Sequence, residues 1–496
     1  MDYRYRRRIG AFLSTAALIA AMSPATAFAK TSNTDVDDST VTITGLNKDD
    51  TVTAYQVFDA DIDAANNLTY TAATGLPEAY NTPAKLSALT TDEQKKAAGD
   101  AYSQAFTKEN PATPANSHTA TGTANDSGEA TLTLDSGYWV VVVTSTSGET
   151  KVFQPTTIDA SPVAGADGKY SAKTLASQEV KNEPVDVNKG VGTGYKEKTD
   201  QYTVGQSVPF KVTTNVPNYP EDSKDATFTV NDRPTDGLKI QTNTIKVTVG
   251  TTTVWENGKV TADGANAFKD ATTTQTETGY TFDFAQKFVL AHPGQTVEIT
   301  YDATLTSAAF SHSATDVTGN TATVTFNPNP YSDSTVTPDK TTKVQTYGYV
   351  FPKTDKDGKA LEGATFTLYD ASGANEIKDE NGPITSTSTI VDGKAYVYFE
   401  DLGAGSYTAK ETTVPAGKQK AQDVQFTLSE DNATADNPAT KVTENNYLVS
   451  DSNVVDPDQP LLPVTGDAGT AVLTIGGVAL LGAACLVASR SLKRSK

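Results

Sequence analysis

The sequence contains a single cysteine, Cys485, and it lies inside an uncharged apolar run close to the C-terminus. The rest of the chain has no disulfide available to it, so its fold has to come from burial and backbone pairing. The residues between the two ends suit strands. Thr40-Val41-Thr42-Ile43-Thr44 alternates, and so does Thr51-Val52-Thr53-Ala54-Tyr55-Gln56-Val57-Phe58. A period of two marks a strand with one buried face, and Thr, Val and Tyr favour that state. The expected fold class is mainly β.

The ends carry a different kind of signal. Arg4, Arg6, Arg7 and Arg8 precede an apolar stretch from Ile9 to Met22, followed by Ala27-Phe28-Ala29 ahead of Lys30. A basic start, a short apolar run and a small-x-small site make residues 1–29 an expected secretory signal peptide, too short to span a bilayer. At the other end, Leu462-Pro463-Val464-Thr465-Gly466 is followed by an uncharged stretch over 468–489, then by Arg490, Lys493, Arg494 and Lys496. As a helix that stretch would span roughly 33 Å, enough for a transmembrane helix. The basic tail, 490–496, is expected to stay cytoplasmic, which leaves the body of the chain outside. Outside the cell disulfides are common staples, so either another device stabilises this chain or burial suffices.

The formal charge is −20. Removing 1–29 and 466–496 takes away more basic than acidic residues and leaves a body of about −26. Such acidity argues against nucleic acid as a partner and against adsorption to anionic membranes.

Three domains are expected from length and pattern. The first, 30–185, is mainly β with a helical insertion over 78–110, where Ala, Leu, Lys and Gln recur. The second, 186–336, has short strands such as Ser207 to Val212, Thr227 to Val230, Ile245 to Val249 and Val297 to Tyr301. Thr321 to Phe326 reads as its last strand, with a hinge at Pro328, Pro330 and Pro338. The third, 346–456, has strands at Thr365 to Tyr369, Ala395 to Phe399 and Ser406 to Lys410. Short strands between turn signals point to sandwiches.

The ordered set at the C-terminus resembles the cell-wall sorting signal of Gram-positive surface proteins. That resemblance implies that a sortase recognises Leu462 and Pro463 and cleaves between Thr465 and Gly466. The Thr465 carboxyl then passes to an amine of the wall or of another subunit. The third domain resembles the B-type repeat of collagen-binding adhesins and pilins. Its opening is Tyr349-Val350-Phe351-Pro352-Lys353-Thr354-Asp355, its second strand Leu361-Glu362-Gly363-Ala364-Thr365-Phe366. Tyr407-Thr408-Ala409-Lys410-Glu411-Thr412-Thr413-Val414-Pro415-Ala416-Gly417 is similar to the pilin E-box, with Ala409 in place of leucine and Lys418 in place of tyrosine. In that family a first-strand lysine joins a last-strand asparagine beside an acid. On matching positions these are Lys353, Asn453 and Glu411, with Asn445 and Asn446 as alternatives to Asn453.

The second domain is similar to the middle, immunoglobulin-like domain of sortase-assembled pilins. It runs from Val187-Asn188-Lys189 through Thr229-Val230-Asn231-Asp232 to Gly319-Asn320-Thr321. The resemblance implies a bond between Lys189 and Asn320 with Asp232 as the acid. It also implies a polymerisation lysine at the end of the first domain. Glu179-Val180-Lys181-Asn182 gives Lys181, with Lys173 as the alternative. The chemistry has a clear requirement. An amine attacks only when neutral, burial lowers a lysine pKa, and a buried acid stays protonated and can donate to the amide oxygen. Closing a loop as long as that from Lys189 to Asn320 is worth about 5 kcal/mol if the disulfide chain-entropy model carries over.

The expected whole is a tandem immunoglobulin-like β-sandwich protein with a C-terminal transmembrane helix. It resembles a sortase-assembled backbone (major) pilin, or type 2 fimbrial subunit. The implied partners are sortases, other copies of itself, minor or tip pilins, peptidoglycan and a host receptor. The implied place is the cell wall, after a transient hold in the membrane. The alternative is a monomeric wall-anchored adhesin that binds host matrix or glycan. No enzyme activity beyond the single self-reaction is expected.

Other signals carry less. His118, His292 and His312 are isolated and lack metal-ligand spacing, so no metal and no cofactor are expected. Gly190-Val191-Gly192-Thr193-Gly194 follows no strand-to-helix pattern that would cradle a phosphate. Asp355-Lys356-Asp357-Gly358 reads as a hairpin turn. Asn67-Leu68-Thr69 and Asn432-Ala433-Thr434 are glycosylation sequons.

Overall fold

The computed structural model describes residues 36–107, 111–145, 150–220, 223, 226–269, 274–310, 317–440 and 446–460. The expected signal peptide, Leu462 to Gly466, the 468–489 stretch and the basic tail lie outside the described residues, as do His312 and Asn445. Among the described residues no helix is long and apolar enough to cross a membrane. The chain divides into two compact units between Thr346 and Tyr347.

The first unit begins with β1 (Ser39–Thr44) and the long β2 (Thr51–Ile62). The helical pattern becomes a short helix at Pro83–Ser87 and a longer one, α1 (Asp92–Thr107). Then come β3 (Ala130–Leu134), β4 (Gly137–Thr144) and β5 (Lys151–Phe153). Every residue of β4 but Thr144 is buried, because both faces are covered. Trp139, Val141 and Val143 pack on one core with Val41, Ile43 and Leu132. Tyr138 and Val140 face the other way, onto Tyr102 and Phe106 of α1. A register shift between Gln56 and Phe58 lets β2 serve both cores in turn; an extra residue in a strand reverses the faces beyond it. The insertion therefore works as a lid on the second face of the sheet.

This part is tied to the next by two strands. β5 pairs antiparallel with β6 (Asn182–Pro184). Phe153 faces the first core while its neighbour Val152 faces the middle one. The Phe153 amide also donates to the Pro328 carbonyl at 2.7 Å.

The middle part is a sandwich. One sheet has β7 (Val187–Val191) at its edge, followed by β8 (Ser207–Asn215) and, as its partner, β11 (Thr296–Leu305). The facing sheet contains β9 (Phe228–Pro234), β10 (Gly279–Asp283), β12 (Thr318–Phe326) and β13 (Asp339–Val344). Phe210, Phe228, Phe282, Phe284 and Ile299 fill the space between them. The strand expected to be last, 321–326, is followed by another. β13 pairs antiparallel with β12, with Thr323 opposite Asp339. The three prolines therefore sit in a connection between paired strands, not in a hinge between domains. The polar run Asp339-Lys340-Thr341-Thr342-Lys343 hid this, since only Thr342 and Val344 of β13 point inward.

The second unit has its own two sheets. β14 (Tyr347–Asp355) lies between β16 (Lys394–Leu402) and, on its other side, β19 (Tyr447–Val449) and β20 (Val454–Asp456). β15 (Thr365–Asp370), β17 (Gly405–Thr413) and β18 (Val424–Leu428) form the facing sheet. Phe351 meets Phe366 edge-on across the core, with ring centroids 5.1 Å apart.

Candidate functional site

Among the described residues two lysines are buried, Lys189 and Lys353. A long flexible cation is rarely buried unless something meets it, and each of these is met by a buried acid.

Lys189 lies on β7 and reaches across the sandwich. Its Nζ contacts Asp232 Oδ2, and both side chains have no solvent exposure. Asp232 on β9 stands opposite Ala322 of β12, two residues from Asn320. The period of two puts Asp232 and Asn320 on the same inner face, diagonal to each other. One sheet thus supplies the amine, and the other supplies the acid and the amide. Phe210 and Tyr301 wall the amine, each ring centroid 5.4 Å from Nζ.

The electrostatics follow from the dry setting. Burial pushes the Lys189 pKa down, against the pull of Asp232. Burial also raises the Asp232 carboxyl above its usual range, against the opposing effect of Lys189. Both shifts favour a neutral amine beside a protonated acid. Asp232 Oδ1 and Asn320 Oδ1 are buried acceptors with no donor; a proton on Asp232 supplies one. The arrangement has what amine attack on an activated amide requires.

Sequence reasoning missed Tyr301. Its hydroxyl lies 2.8 Å from Lys189 Nζ and 2.9 Å from Asn320 Nδ2. In the sequence it marks only the end of a strand. Its alternation on β11 marks an inward residue, but nothing in the sequence says what it meets.

In the second unit the outcome differs from the expected trio. Lys353 Nζ lies 2.5 Å from Asp456 Oδ1, and neither side chain is exposed. Glu411 is buried beside them. Its carboxyl is raised chiefly by burial, and further by the nearby charge of Asp456. Its Oε2 accepts from the Ala421 amide at 2.6 Å. Asn453 is not brought to this group. β20 runs parallel to β14 with Lys353 opposite Val454, and Asp456 points inward. Asn453 precedes the strand and is exposed. Asn446 is buried but sits at the level of Gly348, whose amide donates to its carbonyl. Lys353 lies five positions along the strand from Gly348, about 17 Å.

Of the two candidate polymerisation lysines, one is exposed and the other partly covered. Lys181 precedes β6 and is exposed, while its carbonyl accepts from the Gln154 amide at 2.8 Å. Lys173 is paired with Asp159 at 2.7 Å and is partly covered. The E-box departures are accommodated. Ala409 is fully buried. Lys418 contacts Asp458 at 2.6 Å, and the Gln419 amide donates to the Pro457 carbonyl. The glycine run closes a hairpin in which a Cβ at Gly190 would come within 2.4 Å of the Tyr195 carbonyl oxygen. Among the described residues no cluster of His, Cys, Asp or Glu could hold a metal ion.

Residues 348–443 match the family described as SpaA, prealbumin-like fold domain. The fold as a whole is similar to that of a backbone pilin of Streptococcus pyogenes described as having a modular three-domain structure. The TM-score is 0.66 at 16% identity, over 87% of this chain and 100% of that one. The chain has the backbone-pilin fold. The major pilin SpaD of Corynebacterium diphtheriae shares this backbone-pilin fold, with a TM-score of 0.53 at 17% identity over 86% of this chain and 98% of that one. No curated protein matches the sequence.

Proposed function

We propose that this chain is the backbone subunit of a covalent surface fimbria and that it cross-links itself internally. The observation that carries this reading is the buried meeting of Lys189, Asp232 and Asn320 between two sheets of a backbone-pilin fold. Neutral Lys189 attacks Asn320 Cγ, the Cγ–Nδ2 bond breaks, and ammonia leaves. In the second unit Lys353 attacks the Asp456 carboxyl carbon beside Glu411. Here the C–O bond breaks and water leaves. Each is one turnover of the protein on itself.

Between subunits, a sortase joins Thr465 to Lys181 of the next copy. The exposure of Lys181, against the partial cover of Lys173, favours Lys181. Minor or tip subunits and peptidoglycan complete the assembly, which supports adhesion at the cell wall.

Wall extract boiled in detergent tests the assembly. A ladder of multimers that collapses to one band in Lys181→Ala is the expected result. A single band from the unaltered chain indicates a monomeric anchored adhesin and overturns the reading.

A further inference from the structure

The middle and C-terminal sites differ in what must leave. From Asp456 the leaving group is an oxygen. From Asn320 it is an amide nitrogen, which is a poor leaving group until it receives a proton. The attacking Lys189 nitrogen has the opposite need, since it must lose a proton as its bond to Cγ forms. One phenol touches both atoms. Tyr301 Oη is 2.8 Å from Lys189 Nζ and 2.9 Å from Asn320 Nδ2.

We propose that Tyr301 is a catalytic residue of the Lys189–Asn320 reaction and relays a proton from the attacking amine to the departing ammonia. In the relay, a proton of Nζ moves to Oη while the phenol proton moves to Nδ2. The Nζ–Cγ bond forms, the Cγ–Nδ2 bond breaks, and Tyr301 ends as it began. Asp232 stays protonated and stabilises the developing charge on Asn320 Oδ1, so acid and phenol have separate tasks.

Three observations support the assignment. Tyr301 is held in place: its ring stacks on Phe210 at 5.4 Å with planes 9° apart, and Tyr280 meets it edge-on at 5.3 Å. It is buried, and burial holds its phenol well above the usual tyrosine range, so it remains neutral and has a proton to give. Its place on β11, in the sheet that also carries β7, sets it beside the amine and facing the amide.

This inference rests on the cross-link proposed above, and the experiment separates the two. Full-chain wild type, Tyr301→Phe and Asn320→Ala are purified promptly, and intact mass is followed with time. Peptide mapping assigns each mass deficit to its unit. Loss of water in the C-terminal unit serves as an internal control for sample age and handling. The expected result is a middle-domain ammonia loss about 100-fold slower in Tyr301→Phe than in wild type, with water loss unchanged. Equal rates in the two overturn the relay and leave the bond standing. A wild-type chain with no ammonia loss overturns both.

A second variant covers a misfolded Tyr301→Phe. Difluorotyrosine placed at 301 keeps ring and hydroxyl but makes the phenol more acidic. A several-fold change in the rate of ammonia loss supports the relay. An unchanged rate overturns it, since a packing role would not sense phenol acidity.

Discussion

Lys353 and Asp456 meet at 2.5 Å inside the second unit, with no solvent exposure on either side chain. They come from the first and last strands of that unit, which run parallel. The sequence between them therefore forms one closed loop once they are joined.

The intact mass of the body should fall short of the sequence by one ammonia and one water. Asp456→Ala or Lys353→Ala should restore the water alone, and Asn453→Ala should restore nothing. A C-terminal cross-link that vanishes in Asn453→Ala and survives in Asp456→Ala would sink the assignment.

Loss of that bond should also be seen in stability. A closed loop of about 100 residues is worth about 5 kcal/mol, so the Tm of the unit in Asp456→Ala should fall by roughly 20–30 °C. Differential scanning calorimetry reads the change.

Asp401 offers a pH test independent of both bonds. Burial, helped by Glu400, Glu380 and Asp379, lifts its carboxyl to about 8. A raised carboxyl favours the fold below the ordinary carboxylate range and loses that contribution as pH rises through about 8. Between about pH 4 and 8 the penalty grows by about 1.4 kcal/mol per pH unit. Asp401→Asn should flatten this decline and stabilise the unit at pH 9 by about 2–5 kcal/mol. The backbone there has φ of 61°, a value asparagine tolerates. Urea titrations at pH 5, 7 and 9 check the slope.

Gly190 follows Lys189, and a side chain there would meet the Tyr195 backbone. Gly190→Ala should lower the Tm of the first unit and delay ammonia loss by moving β7. Mass spectrometry against time reads the delay. A mutant with wild-type kinetics would show that β7 has slack.

Where the sequence was legible, it was because chemistry and periodicity coincide. Lys189, Asp232 and Asn320 each lie in a stretch whose alternation and motif agree, and the fold brings them together. Lys353 and Glu411 were legible for the same reason. Asp456 was not, because its inward orientation depends on strand phase. A shift of one residue exchanges the two faces of a strand, and Val454-Val455-Asp456 has no alternation to fix that phase. Tyr301 escaped because its meaning arises only when one sheet is laid on another. β13 escaped because four of its six residues turn outward or only partly inward.

On the proposed assembly, the placement of the two buried lysines would also decide which parts of a fibre carry load. Lys189 lies soon after Lys181, and Lys353 soon after Asn320. With both bonds made, the covalent route from Lys181 to Thr465 would pass through joined side chains, from one sheet to the other in the middle part and between neighbouring strands of one sheet in the second unit. It uses only about 50 residues of backbone, roughly 170 Å at full extension. The strands between are shunted out of the path, and the first cores, built on β1 to β5, lie upstream of it altogether. On the proposed assembly that region lies outside the covalent path, held to it by the pairing of β5 with β6 and the hydrogen bond from the Phe153 amide to Pro328, so it would need no buried lysine to carry load.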